Sequence, residues 1–308
     1  MTSAVSAVLR TLKWVVLACT TLVGLGVVYY FYLVISFDTE TLPENYGQVR
    51  TLLYASDRDN QPLIVGLGGS EGGNTWTRRH LKPARDRFLE RGYAFLALAY
   101  FGEEGIPEEL DRISVDAVHD AILEAVRDPR INQDCIAVIG GSKGAELALL
   151  LASYYPDIKA VVGVVPGHAV FPAHTLAMNT PSFTVASEPL PFVPVPWSAV
   201  PSLIKRDLRG AFGEMLVDKE SVERAAIAVE NINGPILLLS ATRDEFWPSM
   251  KMSELIVSRL SQNEFPFPVE HVAIEGDHAS PQQELDLVEH FLSVNFLAQS
   301  EAGCPRWP

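Results

Sequence analysis

The stretch that decides the fold is IGGSKGAELALLLAS, residues Ile139 to Ser153. Its first part, GGSKG, fits the pattern G-x-S-x-G of a turn that presents a nucleophilic serine, here Ser142. The apolar run CIAVIG before the turn predicts a short strand, and KGAELALLLASYY after it predicts a helix. A strand that leads directly into a tight turn and a helix brings free helix N–H groups beside the serine. The sequence therefore predicts that Ser142 is a nucleophile.

A second stretch, GLGGSEGGN, also contains the pattern, with Ser70 at its centre. Ser70 follows a predicted strand, but Gly72 and Gly73 come next, and glycine opposes helix formation. We therefore interpret this stretch as a loop that stabilises charge rather than one that attacks. The predicted oxyanion hole consists of the backbone N–H groups of Ser70 and Lys143. The alternative is a plain flexible turn.

Strand and helix patterns alternate along residues 49–298, which predicts an α/β domain with a mostly parallel sheet and helices on both faces. The turn formers SDRDNQ between the first two predicted strands suggest a hairpin. The alternation lapses at about residues 168–230, where PSFTVASEPLPFVPVPWSAVPSL carries too many prolines for a regular element. We interpret these residues as an excursion over the carboxyl edge of the sheet, where such folds bind ligands.

A nucleophilic serine of this type needs an acid and then a histidine later in the chain. Asp244 follows the predicted strand PILLLSA, and His278 lies in a loop after the next strand. Glu245 and Asp277 are rival acids. The predicted catalytic residues are Ser142, Asp244 and His278.

Four other polar side chains near these positions are open to two interpretations. His168 and His174 follow the strand after the serine helix, so they could line the pocket without acting chemically. Lys143 could meet substrate or only solvent, and Glu146, one helical turn after Ser142, could hold a loop in place or do nothing.

Residues 14–36, WVVLACTTLVGLGVVYYFYLVIS, carry no charge and are long enough to cross a bilayer as a helix. Aromatic residues at both ends suit the two membrane interfaces. We predict a tail over 1–13, a transmembrane anchor over 14–36, a linker over 37–48 and a second tail over 299–308. A cleaved signal peptide is the alternative, although its apolar core is usually shorter. Arg10 and Lys13 favour a cytoplasmic N-terminus and an external domain, and the side remains open.

Composition excludes several classes of protein. A net charge of -14 argues against nucleic-acid binding, which needs clustered cations. The three cysteines, Cys19, Cys135 and Cys304, are far apart, so we expect neither a disulfide framework nor a structural zinc site. No bound cofactor or metal is expected.

The stretches GGSEGG, LALAYFG, IGGSKGAELALLLAS, FWPS and EGDHAS resemble the catalytic domain of the acyl-coenzyme A thioesterase / bile acid-coenzyme A:amino acid N-acyltransferase family. The resemblance spans about Pro62 to Leu297. It implies an α/β-hydrolase fold, cleavage or transfer of acyl thioesters, and the same three residues, Ser142, Asp244 and His278.

Two departures from the family leave the substrate open. Eukaryotic members carry a β-sandwich domain before the catalytic one, and residues 38–55 are too short for it. Members that conjugate amino acids use a cysteine nucleophile, so Ser142 favours hydrolysis.

Further alternatives are a carboxylesterase or dienelactone-type hydrolase of the same fold and a membrane-tethered binding protein on a hydrolase scaffold. Coenzyme A thioesters are cytosolic, which conflicts with an external domain.

Overall fold

The computed structural model describes residues 2–297, and the chain divides into two compact units between Thr41 and Leu42. The first unit is helix α1, Thr2–Ser36. It begins well before the predicted Trp14, because residues 2–13 contain neither proline nor glycine and continue the helix. The predicted N-terminal tail is therefore helical. By length and composition, Ser6–Ser36 is apolar enough to cross a bilayer.

The second unit contains a seven-stranded sheet in the order β1-β3-β2-β5-β6-β9-β10. Its strands are β1 (Arg50–Tyr54), β2 (Gln61–Leu67), β3 (Ala94–Ala99), β5 (Ile131–Gly141), β6 (Ile158–Val164), β9 (Ile236–Ala241) and β10 (Val269–Ile274). All neighbouring pairs are parallel except β1 with β3. The prediction of a mostly parallel sheet is confirmed.

The predicted hairpin between the first two strands is wrong. β1 pairs antiparallel with β3, from Arg50 opposite Ala99 to Tyr54 opposite Phe95. β2 is buried along its whole length and lies between β3 and β5, whereas β1 is largely exposed. The apolar strand takes the interior position and the more polar strand becomes an edge.

Helices cover both faces of the sheet. They are α2 (Lys82–Glu90), α3 (Val115–Ala125), α4 (Lys143–Tyr154), α8 (Ser249–Gln262) and α9 (Leu285–Phe291). Alternate residues of β2 enter different apolar clusters, with Leu63 and Val65 packing on the side of α3, α4 and α8, and Ile64 on the side of α2 and α9. The two-sided core is the reason that the strands are apolar throughout.

The limits of two helical regions follow from their local sequence. Pro83 lies in the first turn of α2 and so marks its start, where a missing N–H costs nothing. The last helical region is not one continuous helix, because it is divided into a 3₁₀ turn at Ser280–Gln283, α9 and a π-helical turn at Leu292–Leu297.

The cysteines also differ from expectation. Cys19 is a free thiol, but Cys135 is disulfide-bonded, a bond that the sequence did not predict. Cys304 lies outside the described residues.

The excursion contains more regular structure than the sequence predicted. Its strands β7 (Phe183–Val185) and β8 (Glu188–Pro189) form a second sheet with β4 (Ile113–Ser114), which lies earlier in the chain. Three helices follow as α5 (Val200–Ile204), α6 (Leu208–Met215) and α7 (Lys219–Ala225). Its prolines lie where they do not break an element: Pro181 precedes β7, Pro189 ends β8 and Pro201 is in the first turn of α5.

A buried ion pair ties α4 to the excursion. Glu146 Oε2 accepts a hydrogen bond from Lys143 Nζ at 2.7 Å, and Glu146 Oε1 accepts one from the Phe171 N–H at 3.1 Å. Both charged side chains are almost completely buried. Burial lowers the pKa of Lys143 and raises the pKa of Glu146, because each charged form is desolvated. The Lys143 ammonium is therefore buried rather than in contact with solvent, and Glu146 fixes the excursion.

We predict that Glu146→Leu lowers the free energy of unfolding by roughly 3–5 kcal/mol, because Lys143 would remain buried without a counter-charge. The double variant Lys143→Met/Glu146→Leu should recover part of this loss. Denaturant unfolding measures both. Arg224→Ala, which breaks an exposed pair with Glu220, is the control and should cost about 1 kcal/mol or less. A single variant as stable as the double one would contradict the prediction.

Candidate active site

Ser142 sits at the sharp turn between β5 and α4. Its φ of 55° and ψ of -120° lie in a region that residues other than glycine rarely adopt. The Ser142 N–H donates to the carbonyl of Val164 at the end of β6, at 2.8 Å. This bond fixes a strained serine at the carboxyl edge of the sheet.

Two glycines make the turn possible through close approach. A Cβ on Gly140 would collide with the carbonyl of Gly144, and a Cβ on Gly144 would collide with the carbonyl of Gly68. The turn and the Gly-rich loop after β2 are therefore in direct backbone contact. A Cβ on Gly69 would also lie only 3.2 Å from Ser142 Cβ.

The Gly-rich loop is held by contacts along its length. The Tyr100 hydroxyl donates to the Gly68 carbonyl at 2.7 Å, and Arg78 Nη2 donates to the Gly72 carbonyl at 2.7 Å. Ser70 and Lys143 line the same cavity as Ser142. Lys143 begins α4, and the first N–H groups of a helix have no acceptor within it.

Glu71 is a site residue that the sequence reasoning missed. Its Oε1 accepts from the Gly69 N–H at 3.2 Å and from the Thr75 hydroxyl at 2.7 Å. The side chain thus orders the loop and also lines the cavity wall. Its position among glycines carried no spacing signal that could have identified it.

Asp244 and His278 form a hydrogen-bonded pair. His278 Nδ1 and Asp244 Oδ1 are 2.8 Å apart, and the same oxygen accepts from the backbone N–H groups of Phe246 and Trp247 at 3.0 and 3.2 Å. Burial alone would raise the pKa of Asp244, but the hydrogen bonds from the His278 ring and the backbone N–H of Trp247 outweigh it and lower this pKa below its ordinary value. The carboxylate is therefore ionised and oriented toward the imidazole.

The rival acids make other contacts. Glu245 Oε2 accepts from the backbone N–H of His278 at 3.0 Å, and Asp277 Oδ1 accepts from the Ser280 hydroxyl at 2.8 Å. Of the three candidate acids, Asp244 is the one hydrogen-bonded to the imidazole ring. The Phe246 ring packs edge-on against that ring, with centroids 4.8 Å apart.

Ser142 and His278 line one cavity, and Asp244 lies behind the histidine. Among the hydrogen bonds within residues 2–297, none involves the Ser142 hydroxyl. The structure thus brings the predicted serine and histidine to the same cavity and pairs the predicted acid and base.

The cavity has a volume of about 650 Å³, which is the size of a small-molecule site. Its wall is mainly apolar. Excursion residues in the wall include Met178, Leu203, Leu208, Ala211, Phe212 and Met215. The last four have the helical spacing i, i+3, i+4 and i+7. This spacing could have predicted α6, but the prolines before it argued against a regular element. Trp247 is both buried in the core and part of the wall.

The two excursion histidines have different positions. His174 lines the cavity with an accessible side chain, yet desolvation by the surrounding protein and then the charge of Lys143 lower its pKa to about 4. His168 is buried, and within the described part of the chain neither ring nitrogen has a hydrogen-bond partner. Desolvation lowers its pKa to about 4 as well. Both imidazoles are neutral at pH 7.

Over residues 2–297, no group of three or more His, Cys, Asp or Glu side chains is arranged to hold a metal ion.

Comparison with known proteins gives three relevant likenesses in sequence. Residues 116–278 match the family model described as BAAT / Acyl-CoA thioester hydrolase C terminal. Acyl-coenzyme A thioesterase 6 of Mus musculus is 27% identical over 223 residues, which cover 71% of this chain and 49% of that protein. Acyl-coenzyme A amino acid N-acyltransferase 2 of Rattus norvegicus is 36% identical over 126 residues, covering 41% and 29%. The chain spans about half the length of the first of these relatives.

Solved structures support the fold. A puromycin-hydrolyzing peptidase of Mycobacterium tuberculosis superimposes with a TM-score of 0.56 at 15% identity, covering 80% of this chain and 37% of that one. An alpha/beta hydrolase from Penicillium gives a TM-score of 0.50 at 13% identity, covering 81% and 99%. At these identities the likeness shows the α/β-hydrolase fold alone. Because the family model matches more than half of its residues, the chain belongs to the BAAT / acyl-CoA thioester hydrolase C-terminal family.

Proposed function

We propose that the protein is a serine hydrolase that cleaves acyl thioesters or esters, with Ser142 as nucleophile, His278 as base and Asp244 as the orienting acid. The observation that carries the proposal is the 2.8 Å hydrogen bond between Asp244 and His278 at a cavity that also contains Ser142 in its strained turn. A nucleophile, a base and a third group that orients the base are the minimum set for this chemistry.

In the first step, Ser142 Oγ attacks the acyl carbonyl while His278 Nε2 removes the hydroxyl proton. Asp244 accepts the hydrogen bond from Nδ1, holds the imidazole in the required tautomer and stabilises its charged form. The lowered pKa of Asp244 supports this role, because the acid must stay ionised.

The oxyanion that forms on the carbonyl oxygen needs donors that are already in place. The N–H groups of Lys143 and Ser70 are our candidates, since both residues line the cavity with Ser142. Each such donor lowers the barrier by about 3–4 kcal/mol in comparable sites. The hydrogen bonds that the Gly-rich loop makes with the side chains of Tyr100 and Glu71 hold its backbone in place.

The acyl group would occupy the apolar cavity, and a water molecule activated by His278 would then release the acid. Relatives named as acyl-coenzyme A thioesterases support a thioester substrate, with coenzyme A as the candidate leaving group. Acyl transfer is the second candidate, because several relatives are named as N-acyltransferases. Ser142 favours hydrolysis, since an ester of serine transfers its acyl group to an amine less readily than the thioester of a cysteine does.

We also propose that α1 is a retained membrane anchor. Its uncharged run over residues 14–36 and its aromatic ends support a span of the bilayer.

We predict that Ser142→Ala lowers kcat for short acyl thioesters by at least roughly 10⁴-fold, because the nucleophile is lost. Ser70→Ala is the matched control: it keeps its backbone N–H and should retain most of the activity. Steady-state kinetics and labelling by a fluorophosphonate probe measure both. Loss of labelling in the Ser70 variant but not in the Ser142 variant would reverse the assignment.

The stability of the protein should depend on Asp244 in acid. Its pKa is lowered in the folded state, so the carboxylate stabilises the fold at pH values above the ordinary value of 3.8. This contribution is lost as the pH falls through the folded-state pKa. The gap in unfolding free energy between the wild type and Asp244→Asn should therefore be constant near neutrality and shrink in acid. Urea unfolding across the acid range tests this, and a gap that widens in acid contradicts it.

If α1 is an anchor, the full chain carrying an N-terminal tag should pellet with membranes, resist extraction by alkaline carbonate and dissolve in detergent. The tag should remain on the protein, because a retained helix is not cleaved. A soluble protein that has lost its tag would instead identify a signal peptide.

A further inference from the structure

One stretch of the cavity wall also presents apolar side chains to the outside. We call residues 197–209 the rim segment; it contains a 3₁₀ turn, α5 and the start of α6. Leu203 and Leu208 line the cavity. Next to them, Ile204 is 78% exposed and Trp197 is 71% exposed. Trp197 and Ile204 therefore expose apolar surface within one short segment that also lines the cavity.

The rim segment is also positively charged. Lys205, Arg206 and Arg209 make no ion pair with any acidic residue of the described chain. Asp207, the one acidic residue among them, caps the start of α6, where its carboxylate accepts a hydrogen bond from the Gly210 N–H at 2.8 Å. Arg209 Nη1 donates to the backbone carbonyl of Asp244 at 2.6 Å, so that side chain is in part structural. A local excess of cations is unexpected on a chain of net charge -14.

Apolar side chains beside lysine and arginine suit the surface of an anionic bilayer. The apolar groups enter the headgroup region, and the cations meet lipid phosphates. We infer that the rim segment docks on an anionic lipid surface and forms the membrane-facing wall of the cavity.

This inference rests on the proposed anchoring of α1. The folded unit follows α1 directly in the chain, so an inserted helix would keep the unit close to the bilayer. At the high effective concentration that a short tether gives, a weak surface contact is enough for docking. The few exposed residues of the rim segment are therefore sufficient for docking on the lipid surface.

Docking has a consequence for the substrate class. Leu203 and Leu208 belong both to the rim segment and to the cavity wall. A docked rim would place this wall against the lipid, where amphiphilic acyl compounds are concentrated. Substrates that partition into the bilayer would therefore reach the cavity directly from the lipid.

The test uses the full chain with Cys19→Ser and Ile204→Cys, labelled with an environment-sensitive dye and placed in nanodiscs. The emission of the dye should shift to the blue in discs that contain phosphatidylglycerol, compared with discs of phosphatidylcholine alone. A dye at Leu123→Cys, an exposed apolar position on α3, is the control and should not respond to lipid charge.

Charge variants give the size of the effect. Each cation near an anionic surface contributes about a factor of 5. Lys205→Gln should lower the ratio of docked to undocked molecules by roughly 5-fold, and Lys205→Gln/Arg206→Gln by roughly 25-fold. Lys159→Gln is the matched control, because Lys159 lies at the amino end of β6 and should have no effect.

Other outcomes overturn the inference. If the dye at position 204 does not respond to lipid charge while the protein is in the discs, the rim segment does not dock. If the charge variants instead raise KM for a phosphate-bearing thioester without changing the dye signal, the cations bind a soluble anion. If the chain does not enter the discs, the anchor fails, and the same labelled protein with vesicles of the two compositions tests docking by itself.

Discussion

The site depends on one steric constraint, the direct contact between the backbone of the Ser142 turn and the Gly-rich loop. Gly140 and Gly144 have no room for a side chain, and Gly144 lies against the carbonyl of Gly68. Since the contact joins the ends of β2 and β5, which are adjacent in the sheet, sheet register and site geometry are set together. A side chain at Gly144 would push the Ser142 turn away from the Gly-rich loop, which carries the proposed donor Ser70.

The second requirement is that the excursion stays in place over the sheet. Lys143 and Glu146 achieve this inside the protein, where a further hydrogen bond from the Phe171 N–H to Glu146 helps to offset the cost of burying the charged pair. The same helix thus begins with the proposed oxyanion donor and, one turn later, holds the cavity wall. Chemistry and pocket shape are coupled through α4.

Much of the fold and of the candidate site could be predicted from the sequence, because the strands and helices around the site have clear hydrophobic patterns. The strand–turn–helix around Ser142 and the late positions of Asp244 and His278 follow from local pattern and chain order. The partner of β1 could not be predicted, since strand pairing depends on which strand is most deeply buried, a tertiary property. Similarly, the sequence did not predict α6 and the small second sheet, because the nearby prolines argued against regular structure. In the structure these prolines lie at the ends of elements. Glu71 belongs to no periodic pattern in the sequence, so its role in the loop could be identified only from its hydrogen bonds in the structure.

Because β2, β5, β9 and β10 are parallel, the loops that follow them meet at one edge of the sheet. The proposed reacting groups and the cavity wall therefore come from different parts of the chain. The reacting groups that we propose all come from loops that leave the strands, whereas a large part of the cavity wall comes from the excursion. Exchanging a wall residue such as Met178 would alter the shape available to a ligand while Ser142 and the Asp244–His278 pair stay on their own loops. Selectivity in such an enzyme can diverge during evolution while its reaction stays the same.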